Sequence, residues 1–110
     1  MTISIADTIR LIEELLPTLD NAYWESSHIE RKDTLYDTIS IFHIELRELA
    51  KLSIEDHYLT FEPVSTGARN ISYKLRNIQN QLDSWSLRNS TSEQLRHQLP
   101  RIAQALSREL

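Results

Sequence analysis

Apolar residues in the segment 33–54 recur at alternating spacings of four and three, and this pattern restricts the segment to a helix. The recurring residues are Leu35, Ile39, Phe42, Leu46 and Leu49. Because an α-helix has about 3.6 residues per turn, these side chains form one stripe along it. Tyr36 and Ala50 widen the stripe, which favours a central helix that is covered on more than one side.

Three other segments show the same alternation. In the first, which is predicted to begin after Ser4, the stripe consists of Ile5, Ile9, Ile12, Leu16, Leu19 and Tyr23. In the third predicted helix, it consists of Val64, Ala68, Ile71, Leu75, Ile78, Leu82 and Trp85. The last helix follows a capping-box sequence at 90–93, and its stripe consists of Leu95, Leu99, Ile102, Ala103, Leu106 and Leu110.

The four segments predict an all-α fold, an antiparallel four-helix bundle with heptad-like seams. A single helical domain is expected over residues 1–110. One glycine and three prolines are too few for the turns of an all-β domain of this length. Pro17 and Pro100 fall inside predicted helices, where the missing amide donor is expected to cause a kink.

Two connections of some length are predicted. The first covers 20–27, and the second covers 55–66. Tyr58 and Phe61 of the second connection are expected to fold over one end of the core. The sequence has no cysteine, so a disulfide framework and a thiol nucleophile are both excluded.

The N-terminal segment does not have the pattern of an export signal. Asp7 interrupts its apolar pattern, and the basic head of a signal peptide is missing. No run of apolar residues reaches the length that spans a bilayer. A cytoplasmic protein without membrane association is therefore predicted.

The net charge of −4 is unevenly distributed. Residues 1–62 contain 13 acidic and 5 basic side chains, whereas residues 63–110 contain 3 acidic and 7 basic ones. One interpretation is that acidic and basic helices of the same bundle face each other. The other is a basic face for an acidic partner or a nucleic acid.

No catalytic, metal or cofactor site is predicted. Di-iron helical bundles need two Glu-x-x-His pairs, and the chain has one such spacing, Glu25 to His28, in a predicted connection. The sequence His97-Gln98-Leu99 resembles part of the motif of histidine phosphotransfer domains, which are acidic helical bundles of similar size. Pro100 and Arg101 replace the lysine and glycine of that motif. The resemblance implies phosphotransfer as a third functional alternative.

Candidate partner-binding residues are apolar or aromatic side chains that lie away from the predicted stripes. Ile44 is placed about 180° and Ile41 about 120° from Leu35. Either another part of the chain covers them, or they contact a partner or a second subunit. Trp24 either shields the first connection against Ile29 or anchors a partner.

The third predicted helix has a second, outward stripe, formed by Arg69, Tyr73, Arg76 and Asn80. It fits a solvated face, a protein contact or a nucleic-acid contact, since Arg and Tyr suit all three. The leading prediction is a non-enzymatic protein-interaction module: an adaptor, an anti-factor or a toxin-neutralising regulator. Its partner would be another protein, with a homodimer possible. The alternative is a nucleic-acid-associated regulator that uses the basic third and fourth helices.

Overall fold

The structure, a computed structural model, describes residues 3–85 and 87–106. These residues form an all-α fold without β-strands, as predicted. The five α-helices are α1 (Ile5–Glu25), α2 (Ile29–Ala50), α3 (Thr66–Arg69), α4 (Ser72–Gln81) and α5 (Asn89–Leu106). Two short 3₁₀ segments cover Ile54–Asp56 and Leu82–Trp85.

Helix α1, rather than α2, lies at the centre of the fold. It packs against both α2 and α5, while α4 packs on α5 and α3 on α2. The segment 33–54 is covered on more than one side, as expected, because both α1 and α3 pack on α2. Tyr36, predicted to widen its buried stripe, is mostly exposed.

The start of α1 is held by its own cap and by the connection that follows α2. Ser4 is the N-cap, and its Oγ accepts a hydrogen bond of 3.1 Å from the amide of Asp7. The amide of Ile5 donates to the carbonyl oxygen of Leu59, and that of Ala6 to His57. These bonds satisfy helix-terminal donors that no intrahelical carbonyl can reach.

The predicted third helix is interrupted at Asn70. Its side-chain amide donates to the carbonyl oxygen of Thr66, and its backbone amide bonds to Gly67 rather than to Thr66. This local side-chain bond competes with the regular helical ladder, so the helix restarts as α4. The apolar stripe nevertheless stays buried from Ala68 to Trp85, and Val64 is exposed.

The only glycine of the sequence marks a close approach between α3 and α2. A Cβ atom at Gly67 would lie 3.1 Å from Cγ1 of Ile41. A side chain there would require the Ile41 side chain or the short helix to shift by a few tenths of an ångström. The first turn of α3 can rest directly on α2 for this reason.

The two prolines do not end their helices. Pro17 lies inside α1 and Pro100 inside α5, and each helix continues beyond it. The first connection is much shorter than the predicted 20–27, because α1 runs to Glu25 and α2 begins at Ile29.

The buried apolar side chains form one contiguous cluster to which all five helices contribute. Phe61 of the second connection joins this cluster, whereas Tyr58 remains in solvent. The predicted cover over the core is thus made by one aromatic side chain rather than two. Leu110, expected at the end of the last stripe, lies outside the described residues.

Candidate interaction surface

One side of the α1–α2 pair carries a row of apolar side chains that are only half-buried. We call this row the open strip; it consists of Ile9, Leu16, Tyr23, Ile39 and Leu46. Residues seven apart lie within about 20° of each other around a helix, so each helix presents its members on a single face. The strip therefore runs lengthwise along both helices.

The strip exists because the buried faces of α1 and α2 coincide only partly with the predicted stripes. Every second residue of each stripe is buried as predicted, namely Ile5, Ile12 and Leu19 in α1 and Leu35, Phe42 and Leu49 in α2. In α1, Thr8, Leu15 and Ala22 are buried instead of the residues that follow them. In α2, Thr38 and Glu45 are buried in the same way. The apolar residues displaced from the core, such as Leu16 and Ile39, are left at its edge.

At one end the open strip widens into an aromatic groove. Its volume is about 310 Å³, and it is lined by Asp20, Tyr23, Trp24, Tyr36 and Ile39. Trp24 is 73% exposed and Tyr36 is 63% exposed. Large exposed aromatic side chains beside half-buried apolar ones are typical of interaction sites rather than of plain solvated surface.

Lys32 fixes the aromatic side chains that border the groove. Its ammonium nitrogen donates a 2.6 Å hydrogen bond to the carbonyl oxygen of Tyr23. The same nitrogen lies 4.2 Å from the centroid of the Tyr23 ring and 5.5 Å from that of the Trp24 ring. The two rings meet edge to face at 5.3 Å. Cation–π and edge-to-face contacts each contribute about 0.5–1 kcal/mol, so they favour this arrangement of the two rings.

Trp24 also borders a second depression on its other side. That pocket has a volume of about 400 Å³ and is lined by Asn21, Trp24, Glu25 and Arg88. The Glu25 carboxylate accepts hydrogen bonds from the backbone amide of Arg88 at 2.9 Å and from the hydroxyl of Thr91 at 2.8 Å. Trp24 therefore borders both depressions, next to the hydrogen bonds that connect Glu25 of α1 to the start of α5.

The predicted pair Ile41 and Ile44 does not form one surface. Ile41 is half-buried against the core and is covered by α3 at Gly67. Ile44 is 44% exposed. Trp24 does not shield Ile29, which is 70% exposed.

The predicted outward stripe of the third helix is divided between two helices. Arg69 belongs to α3, whereas Tyr73, Arg76 and Asn80 belong to α4. All four side chains are exposed, Tyr73 to 71%. The Nε atom of Arg69 donates to the carbonyl oxygen of Pro63, which ties its side chain to the connection.

Metal-binding geometry is not found in the described part of the chain. No group of three or more His, Cys, Asp or Glu side chains there could hold a metal ion. His97 of the phosphotransfer-like sequence is exposed on α5. A third depression of about 380 Å³ between α1 and α5 is lined mainly by charged side chains, including Asp7, Arg10 and Arg101.

Of the residues that line the groove, Trp24 is a predicted site residue, whereas Asp20, Tyr23, Tyr36 and Ile39 are not, and neither is Lys32 beside the groove. Tyr36 was assigned to the core because it lies next to the predicted stripe. Lys32 and Tyr36 are four residues apart, so they lie on the same face of α2, one turn apart. This spacing is the sequence signal that could have identified the two residues as part of one surface.

Fold and surface together define an all-α chain with an exposed aromatic groove between two helices. Comparison with known protein families, with curated proteins and with solved structures finds no match for this chain. Among the described residues, no helix is both long and apolar enough to cross a membrane.

Proposed function

We propose that this chain is a small non-enzymatic protein-interaction module that acts in the cytoplasm as an adaptor, an anti-factor or a toxin-neutralising regulator. Its binding surface is the open strip together with the aromatic groove. The observation that carries the proposal is the exposure of Trp24 and Tyr36 beside half-buried Ile39. Trp and Tyr are enriched among the residues that dominate binding energy at protein interfaces.

The shape of the surface favours a protein partner over a small molecule. The groove is an open depression between two long helices, and the strip extends it towards Ile9 and Leu46. A small ligand is usually enclosed on most of its surface, which an open strip does not provide. A helix lying along the strip would cover it over several turns.

The proposed architecture is an antiparallel four-helix bundle in which α3 and α4 act as one interrupted helix. The turn between α1 and α2 spans only residues 26–28, which favours neighbouring antiparallel helices. Lys32 lies beside Tyr23, and Tyr36 shares the groove with Asp20. Residue numbers rise along α1 in the direction in which they fall along α2, and this supports an antiparallel arrangement of the two helices.

Photo-crosslinking in the source cells would test the proposed function. A benzophenone amino acid replaces Tyr36 in the groove, and in a matched control it replaces Tyr73, an equally exposed tyrosine on α4. We expect discrete protein adducts from position 36 and only background from position 73. Absence of an adduct at position 36 would contradict the proposal.

A second candidate is nucleic-acid binding through the basic half of the chain. It is supported by the exposure of Arg69, Tyr73 and Arg76, which could contact phosphates and unstacked bases. Binding to DNA and RNA would then weaken steeply with added salt, and Arg76→Ala would reduce the slope. Crosslinking of nucleic acid from position 73 would favour this candidate over the first.

A further inference from the structure

The two edges of the open strip carry opposite charges. On α1, Glu13 and Asp20 each follow a strip residue by four positions, so they lie about 40° further round the helix. On α2, His43 stands in the same relation to Ile39, and Arg47 follows one turn later. All four side chains are exposed. The strip thus has an acidic edge along α1 and a basic edge along α2.

We propose that the occupant of the open strip is a second copy of this chain. The α1–α2 pairs of the two copies pack face to face and form a four-helix bundle between chains. This inference rests on the proposed function, since it identifies the partner of that surface. The observation behind it is the self-complementary arrangement of charge and apolar area.

A twofold axis parallel to the helices produces the required arrangement. It places α1 of one copy over α2 of the other, so every neighbouring helix pair is antiparallel. This rotation leaves the height of each residue along the axis unchanged. Asp20 and Tyr36 line the same groove, so they lie at about the same height along the helix pair. Counting from them along the two antiparallel helices, Glu13 lies at the height of His43 and about one turn from Arg47.

The charges match in this arrangement and clash in the other twofold arrangement. Glu13 of one copy lies about one turn from Arg47 of the other, with the imidazole of His43 at its own height, and Asp20 lies about one turn from Lys32. Arg10, further round α1, is already paired with Asp7 in its own helix. An axis perpendicular to the helices would instead place α1 against α1, with the acidic edges together.

The exposed aromatic side chains supply a substantial part of the area that a dimer buries. A standard interface buries about 800 Å² per partner. A buried Trp or Tyr side chain contributes about 150–250 Å², so Trp24 and Tyr36, both mostly exposed, supply about a third of it. Burial of the half-exposed aliphatic residues of the strip adds to this area.

Sedimentation equilibrium of the full chain tests the proposal directly. We expect a species of twice the chain mass of 12.9 kDa in the micromolar range. Tyr36→Glu should weaken the dimer tenfold or more, because it places a charge in an apolar contact. Tyr73→Glu, the matched control on α4, should leave the dissociation constant unchanged. Circular dichroism verifies that both variants remain helical.

Charge reversal tests the predicted register. Glu13→Arg and Arg47→Glu should each weaken the dimer about 3- to 30-fold, because twofold symmetry repeats the pair. An equimolar mixture of the two variants should recover the affinity, since only the mixed dimer restores both pairs. Failure of the mixture to recover would overturn the arrangement.

Failure of this inference and failure of the proposed function give different results. A monomer throughout the concentration range, or a dimer that Tyr36→Glu does not weaken, rejects the second copy as the occupant. If position 36 then crosslinks to a different protein, the interaction surface stands with another partner. If it crosslinks to nothing, the proposed function fails as well.

Discussion

Glu45 is fully buried in α2, and each of its carboxylate oxygens accepts one backbone hydrogen bond. The donors are the amides of Val64 and Ser65, both at 2.8 Å. A buried carboxylate without such partners would be strongly destabilising. Glu45 therefore fastens the second connection to α2 and positions Ser65, whose hydroxyl caps α3.

Glu45→Gln should lower the free energy of unfolding by about 1–3 kcal/mol, since the side-chain amide can accept only one of the two bonds. Glu48→Gln is the matched control. Glu48 makes an exposed ion pair with Lys51 on the same helix, so its change should cost less than about 1 kcal/mol. Urea unfolding compares the two variants. Equal effects would mean that the Glu45 contacts contribute little.

Thr38 is buried because its hydroxyl has a partner within its own helix. Its Oγ1 donates to the carbonyl oxygen of Thr34 at 2.7 Å, which leaves the methyl group to pack in the core. Thr8 is buried in the same way, with its hydroxyl on the carbonyl of Ser4. A threonine can thus occupy a core position that a polarity pattern assigns to solvent.

Two substitutions at Thr38 distinguish the contribution of its hydroxyl to stability from that of its methyl group. Thr38→Val should change stability by less than about 0.5 kcal/mol, since the Thr34 carbonyl keeps its backbone bond. Thr38→Ser should cost about 1 kcal/mol through loss of a buried methyl group. Thermal melting measures both. A larger loss for valine than for serine would show that the hydroxyl, not the methyl, is required.

At the scale of the element, α1 is the helix that depends most on its neighbours. Its first amides bond to the second connection, its middle contains Pro17, and Glu25 near its end anchors the start of α5. Pro17 is exposed, so its ring needs no room in the core. Packing on two sides allows α1 to continue through a residue that breaks isolated helices.

Pro17→Ala should stabilise the protein by up to about 3 kcal/mol, because alanine restores an amide donor and removes the clash with the preceding turn. Pro63→Ala provides the contrast. Pro63 is buried in an irregular connection, where its fixed φ is expected to help, so the change should destabilise. Differential scanning calorimetry measures the Tm of both variants. A fall in Tm for Pro17→Ala would mean that the proline is needed where it is.

At the scale of the whole molecule, one core joins the acidic and the basic halves of the sequence. The basic α5 packs on the acidic α1, and Lys74 of α4 lies 3.3 Å from the Asp37 carboxylate of α2. This agrees with the interpretation in which opposite charges of one bundle face each other. An exposed pair of this kind contributes about 0–1 kcal/mol, so burial carries most of the stability.

Alanine in place of Phe42, Leu75 or Ile78 should cost about 2–5 kcal/mol each, through loss of buried area and the cavity that remains. Tyr73→Ala, on the exposed face of α4, should be nearly neutral. Because the core is contiguous, each core variant should still unfold in a single transition. Separate transitions seen by fluorescence and circular dichroism would show that α4 and α5 unfold independently of α1 and α2.

The sequence alone determined the all-α class, the core stripe from Ala68 to Trp85, and the cap at Ser4. These features follow from local spacing and local hydrogen bonds, which need no knowledge of neighbouring helices.

Only the tertiary structure decided which face of α1 and α2 is buried and which helix is central. The predicted stripes of these helices contain residues that are fully buried, such as Leu35 and Phe42, and residues at the edge of the core, such as Ile39. Buried Glu45 shows how the choice was made, since both of its carboxylate oxygens accept hydrogen bonds from amides of the second connection. Those amides, which a polarity pattern of α2 does not contain, stabilise Glu45 in the interior, while Tyr36 lies at the surface.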